Sequence, residues 1–247
     1  MRYSEIHFHL LPGIDDGPKS MRESLDLAAL AVADGTGTIV ATPHVHPQHV
    51  TDPSEIEGRA AELTVRLRQD GIAVDVLPGG ELSHHMVGRL SHRQLDAIAH
   101  GPAERRWVLL EAPFDGIGDD YTEAADELRS QGFAIVVAHP ERAAQDAATE
   151  RALEHELDRG STFQLTAWSF AGQYGDPVRA VARRLLRRAP GSVIASDAHG
   201  RDRVPSLRIA VAELRSAGER DAERYAGAHP RTLLDHGLAL APAARAA

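Results

Sequence analysis

The chain has no cysteine among its 247 residues. Disulfides, thiolate metal ligands and a cysteine nucleophile are therefore excluded. No apolar run approaches the roughly 20 residues that a membrane-spanning helix needs. The first residues, Met1 to Glu5, lead straight into a short alternating run with no apolar stretch of signal-peptide length. A cytoplasmic location without membrane insertion is expected. Positive charge is also short, with 27 Lys+Arg against 36 Asp+Glu and a net charge of -9. Such a surface repels nucleic acid and anionic lipid, so an anionic substrate would need a local positive centre. With 21 Gly and 14 Pro the chain is neither collagen-like nor disordered. Hydrophobic residues at 43% are ample for a core. No linker or internal repeat is visible, so one domain over residues 1–247 is expected, with a frayed Ala-rich tail from Ala241 to Ala247.

Short apolar runs recur along the chain: Glu5–Leu10, Thr38–Thr42, Ala73–Leu77, Trp107–Glu111, Phe133–Ala138, Thr162–Thr166 and Ser192–Ser196. Near-continuous Val, Ile and Leu read as buried parallel strands. Amphipathic stretches separate them. Ser20 to Glu23 forms a capping box ahead of Leu25, Ala28, Ala29 and Val32. Asp52-Pro53 and Asp176-Pro177 open further helices, with Gly71 closing the first of these. Ser206 to Ala217 repeats the pattern. About seven strand–helix alternations predict a parallel α/β fold that closes, or nearly closes, into a barrel.

Histidine is abundant, with 14 copies, and several stand where strands end. His7 and His9, two apart on a strand, share a face and can hold one ion. The later runs end in Thr42-Pro43-His44, Gly79-Gly80-Glu81, Glu111, His139-Pro140-Glu141-Arg142 and Asp197-Ala198-His199, and Asp15-Asp16 follows the first. The glycines would let the backbone approach a crowded site. A parallel α/β barrel gathers such ends on one rim. About ten groups exceed one ion's needs, so two or three ions sharing a carboxylate fit better. Mixed imidazole and oxygen donors suit Mn²⁺, Zn²⁺ or Fe. His84, His85, His92, His100, His155, His229 and His236 fall in loops or helical stretches and read as solvated or capping residues. His46 and His49 fall where a pocket rim would lie. The arginines of Arg183 to Arg188 read as the solvated face of a helix rather than a nucleic-acid patch.

The segments His7 to Pro18, Ala41 to His44, Gly80-Glu81, Val137 to Arg142 and Ala195 to His199 together resemble the PHP (polymerase and histidinol phosphatase) superfamily. The Leu10-Leu11-Pro12-Gly13-Ile14-Asp15-Asp16-Gly17-Pro18 block and the stretch Gln164 to Gly172 are similar to its metal-dependent bacterial tyrosine phosphatases of capsule and exopolysaccharide operons, the CpsB/YwqE group. The resemblance runs from His7 to about Leu234. It implies a distorted seven-stranded TIM-like (β/α)7 barrel, the PHP fold. It also implies a trinuclear site. One ion would take His7, His9, Glu81 and Asp197. A second would share Glu81 and add Glu111 and His139. A third would take Asp16, His44 and His199, with Asp15 the less favoured of the aspartate pair. Glu81 and His139 would serve catalysis, with Arg142 contacting phosphate. Glu5 stands where Asp is usual, and His229-Pro230 where Asn-Pro is common.

The function implied is hydrolysis of phosphotyrosine on protein by metal-activated hydroxide at a di- or trinuclear site, with Mn²⁺ as cofactor and Zn²⁺ or Fe as alternatives. The implied substrate is the tyrosine-rich tail of a polysaccharide-assembly kinase. The alternatives are a histidinol-phosphate or nucleotide phosphatase of the same superfamily, and a metal-binding regulatory module without catalysis. No nucleic-acid partner is expected.

Overall fold

The computed structural model describes residues 2–143, 146–189 and 191–240; the Ala-rich tail lies outside them. Each of the seven apolar runs contains a strand, and every strand pair is parallel. The strands are β1 (Tyr3–Phe8), β2 (Thr36–Ala41), β3 (His44–Val45), β4 (Asp75–Pro78), β5 (Glu81–Leu82), β6 (Trp107–Glu111), β7 (Ala134–Ala138), β8 (Thr162–Thr166) and β9 (Val193–Ala195). The helices are α1 (Met21–Asp34), α2 (Ile56–Gln69), α3 (His92–Ile98), α4 (Asp119–Ser130), α5 (Ala147–Asp158), α6 (Ala167–Ala171), α7 (Asp176–Arg188), α8 (Leu207–Ser216) and α9 (Ala228–His236).

The expected closed seven-stranded barrel is not what forms. Among the described residues there are nine strands in two sheets, ordered β1-β2-β4 and β3-β5-β6-β7-β8-β9. Two of the seven runs are each followed by a second, short strand. Thr42-Pro43 separates β2 from β3, and Gly79-Gly80 separates β4 from β5. Proline has no N–H for a ladder and glycine weakens one, so pairing lapses at both places. The two sheets meet where β1 exits: Asp197 N–H donates to His7 O at 3.1 Å and His9 N–H to Ala198 O at 2.9 Å.

The two glycines do not face the site as expected. A Cβ on Gly79 would lie 2.5 Å from Val40 and 2.8 Å from His100; one on Gly80 would lie 2.8 Å from Val45. They admit core neighbours, and so let β5 start at Glu81. Below the site, Ile6, Val40, Trp107, Leu109, Ala134, Val136, Val193 and Ala195 form a small apolar plug. A larger cluster joins the other strand faces to the helices.

The helix signals shift slightly. Ser20 caps α1 by accepting from Glu23 N. Asp52-Pro53 opens a 3₁₀ turn, Pro53–Glu55, ahead of α2. Asp176 lies inside α7, whose cap position is Gly175. Arg184 and Arg188 of α7 pair with Glu150 and Glu154 of α5 at 2.6 and 2.8 Å, while Leu185 and Leu186 are buried. No helix among the described residues is long and apolar enough to cross a membrane.

His100 is neither solvated nor a cap. Its ring packs on Trp107 with centroids 5.2 Å apart, and its Nε2 has no hydrogen bond. Burial, with Arg106 adding to it, pushes the imidazole down to about 4. The unfolded chain keeps the ordinary value near 6.5, so it binds more protons below that pH. The stability tied to neutral His100 is complete above pH 6.5 and is lost as pH falls toward 4. His100→Gln should therefore lose less stability than wild type between pH 6.5 and 4.5, by on the order of 1–3 kcal/mol, as read from thermal melts at the two pH values.

Candidate metal centre

Strand ends deliver the chemistry. His7 lies in β1 and His9 one residue past its end. His44 starts β3 and Glu81 starts β5, and these two residues are register partners. Glu111 closes β6 on the face of Trp107 and Leu109. His139 follows β7, and Asp197 follows β9. His139 and Asp197, at φ 39 and 53, are the two non-glycine residues with left-handed backbone among those described. Such conformations cost on the order of 1–3 kcal/mol each and persist where the surroundings impose them, commonly at functional sites. Here they turn both side chains into the same space.

All nine residues singled out as ligands gather there. Donor atoms within 4.8 Å of one another come from His7, His9 and Glu81; from His7, His139 and Asp197; from His44, Glu81 and Glu111; and from His9, Asp16, His44 and His199. The grouping differs from the expected one: His9 also joins the Asp16 group, and His44 also joins Glu81 and Glu111. His46 and His49 lie close by, with the His49 ring 5.4 Å from His44.

Hydrogen bonds outside the centre set the tautomers inside it. Gln164 Oε1 lies 2.7 Å from His7 Nδ1 and also accepts from His139 N, so His7 Nδ1 carries the proton. Asp15 Oδ2 lies 2.7 Å from His9 Nδ1 and takes the proton side of that ring too. The Nε2 lone pairs of His7 and His9 then face each other at 3.3 Å. Glu81 Oε2 sits 3.2 Å from both, and 3.0 Å from His44 Nδ1. Asp197 Oδ1 lies 3.4–3.6 Å from nitrogens of His7, His9 and His199. Yet Glu81 Oε2, Asp197 Oδ1 and His139 Nδ1 are buried without a hydrogen bond. Buried lone pairs converging with no donor between them fit a cation.

The electrostatics agree. Burial is the largest single influence and disfavours charge on His7 and His44, but the acidic neighbours together, Glu81 foremost with Asp197 at His7 and Glu111 and Asp16 at His44, outweigh it and raise them to about 9 and about 10. Burial likewise pushes Asp15 up, but the hydrogen bond and charge of His9, with the bonds from Gly17 N and His44 N, together hold it at about 2. Burial and the neighbouring Glu81 raise Glu111 to about 7. Burial and the neighbouring His9 lower His199 to about 4. The centre as a whole draws in positive charge.

The structure divides the aspartate pair. Asp15 accepts from His9, His44 N and Gly17 N, whereas Asp16 Oδ1 faces His44 Nε2 at 3.5 Å and His199 Nε2 at 3.3 Å. Arg142 NH1 donates to Asp197 Oδ2 at 2.8 Å. Sequence reasoning missed Arg203, which pairs with the same oxygen and sits 3.2 Å from His199 Nε2. It missed the role of Gln164, and it missed Phe114 and Tyr174, whose rings flank Arg142. Away from the centre, His84, His85 and Asp120 also place donor atoms within 4.8 Å of one another, with Asp120 largely exposed. Glu5 accepts from Ser196 N, beside Asp197. His229 bonds Ser192 O instead.

A parallel α/β scaffold with imidazoles and carboxylates converging at its strand ends describes the class. The CpsB/CapC family of capsular polysaccharide synthesis proteins matches residues 3–235, and the chain belongs to that family. Tyrosine-protein phosphatase YwqE of Bacillus subtilis (strain 168) is 33% identical over 199 residues, covering 79% of this chain and 76% of that one. Tyrosine-protein phosphatase CpsB of Streptococcus pneumoniae is 26% identical over 212 residues, covering 81% and 84%. A solved chain from the crystal structures of YwqE from Bacillus subtilis and CpsB from Streptococcus pneumoniae, described as unique metal-dependent tyrosine phosphatases, aligns at a TM-score of 0.79 and 28% identity, over 94% of this chain and 93% of that one. The Escherichia coli phosphotriesterase homology protein, complexed with phosphate, shares the fold at a TM-score of 0.60 and 15% identity.

Proposed function

We propose that this protein is a metal-dependent protein-tyrosine phosphatase acting in capsule or exopolysaccharide synthesis. Its substrate would be a phosphotyrosyl protein such as the tail of a bacterial tyrosine kinase, and its location the cytoplasm. The observation that carries the reading is the convergence of unpartnered buried donors at Glu81 Oε2 and Asp197 Oδ1, in a chain 33% identical to YwqE. In this reading the two sheets are the interrupted wall of one distorted, TIM-like barrel, in a single domain.

Two or three divalent ions, Mn²⁺ foremost with Zn²⁺ or Fe as alternatives, would be held by His7, His9, Glu81 and Asp197, by Glu81, Glu111 and His139, and by Asp16, His44 and His199. When bound they would lower the pKa of water toward 7 and neutralise phosphoryl oxygens. The chain's own residues supply the rest. Gln164 and Asp15 keep the His7 and His9 lone pairs aimed inward. Arg142 and Arg203, now on Asp197, present planar N–H donors that suit a phosphate dianion. Burial of His7, His9, Glu81 and Asp197 keeps bulk water from screening these charges. A phenol, with a pKa near 10, leaves phosphorus more readily than an alkoxide.

The test is phosphate release by the Mn²⁺-loaded protein from a phosphotyrosyl peptide, histidinol phosphate and a nucleoside monophosphate. The peptide should be hydrolysed fastest. Faster turnover of either small substrate would redirect the assignment within the superfamily. No release from any of the three would support a regulatory module.

A further inference from the structure

We propose that Phe114 and Tyr174 form a subsite for the phenyl ring of the substrate, so that the aromatic flanks of Arg142 select aryl over alkyl phosphates. The proposal rests on the phosphatase reading above and names the part of that site that chooses the leaving group.

Four of the five phenylalanines are buried, at 1% exposure or less; Phe114 is 52% exposed. Water contact on an aromatic ring is unfavourable, and the packing does not hide this one. Its inner side is engaged. The Phe114 ring stacks on His139, with centroids 5.4 Å apart and planes at 23°. The Arg142 guanidinium carbon lies 4.7 Å from the Phe114 centroid and 4.6 Å from the Tyr174 centroid. Both rings thus lie against the guanidinium, while its NH1 donates to Asp197 Oδ2 at 2.8 Å.

That arrangement orders a ligand. A phosphoryl group bound along the Arg142 edge lies over the metal centre. The ester oxygen follows, and the substituent on that oxygen must pass the rings that flank the arginine. The centre itself is deep, with His7 and His9 fully buried and His139 at 2%. Phe114, stacked on His139 and half in water, spans from floor to mouth. A flat aryl group can lie against Phe114 and Tyr174 along that path, in the offset or edge contacts aromatic pairs favour. A short alkyl group leaves the Phe114 face wet.

The experiment uses the Mn²⁺-loaded protein and two anions of equal charge that are not hydrolysed, phenylphosphonate and methylphosphonate, whose affinities are measured by calorimetry. Turnover of a phosphotyrosyl peptide is measured alongside. Wild type should bind phenylphosphonate at least about tenfold more tightly than methylphosphonate. In Phe114→Ala that ratio should fall to within about threefold of unity, and kcat/KM for the peptide should drop about tenfold, mostly through KM. Phe114→Trp should restore the ratio. Arg142→Ala should weaken both anions alike. If Phe114→Ala weakens both anions by the same factor, Phe114 only positions Arg142 and the subsite is overturned. A wild-type ratio near unity, with peptide turnover intact, overturns the subsite alone. No peptide turnover, with a strong phenyl preference, overturns the phosphotyrosine assignment and leaves the aryl subsite standing.

Discussion

Glu81→Gln should lower phosphotyrosyl-peptide turnover by at least about a thousandfold, on the order of 4 kcal/mol in the barrier, without unfolding the protein. The amide has nearly the shape of the carboxylate, so the neighbouring Leu82 and the plug beneath are undisturbed. The charge is what changes. Glu81 Oε2 stands within 3.2 Å of His7, His9 and His44 nitrogens, and Oε1 lies 2.8 Å from His139 Nε2. Burial opposes its charge, yet His7 and His44 hold the carboxyl well below its ordinary range. The residue belongs to two of the donor groups. Losing a partner outside a metal's ligands commonly costs 10- to 100-fold; losing a ligand shared between ions should exceed that. Metal content by atomic absorption should fall together with turnover, while far-UV circular dichroism stays as in wild type. Turnover within a few-fold of wild type would remove the metal-centre reading.

Asp15→Ala is expected to have the next largest effect, weakening metal affinity by 10- to 100-fold. Asp15 is not among the proposed ligands. Its two oxygens accept from the His9 ring, from His44 N and from Gly17 N. Without them His9 Nδ1 loses the acceptor that fixes its tautomer, and the loop carrying Asp16 loses two anchors. Asp15→Asn keeps only one acceptor oxygen and should fall between alanine and wild type. Competition against a chelator of known affinity measures the change directly. Because the defect lies in loading, excess Mn²⁺ should recover most of the turnover in Asp15→Ala and little in Glu81→Gln. Equal recovery of the two would mean that Asp15 and Glu81 do not divide as positioning residue and ligand.

Much of this was legible along the chain. Strand periodicity exposed all seven apolar runs because fully buried parallel strands must be apolar on both faces. The residues ending those runs stood out because His, Asp or Glu recurs at successive strand ends, which a parallel α/β scaffold gathers on one rim. The breaks were harder to read. Pro43 and Gly79-Gly80 were visible, but whether pairing survives across them depends on what packs there, Val40 and His100 at Gly79 and Val45 at Gly80. The donor residues could be named, yet their grouping could not, since His9 and His44 each face two groups at once. Asp15 and Asp16 are neighbours in sequence and differ only in which way the turn sends each carboxylate.

The amino-acid order alone determined the parallel α/β class, the want of thiol chemistry and the His, Asp and Glu residues at strand ends, because each of these follows from composition or from local period. The tertiary structure alone decided the two-sheet arrangement, the tautomer-setting bonds of Asp15 and Gln164, the second arginine Arg203 and the aromatic flanks of Arg142. The His7–Gln164 bond joins residues 157 positions apart, and Arg142 and Asp197 are 55 apart. Nothing local encodes such pairs; they exist only once the strands lie side by side and their ends share one buried space.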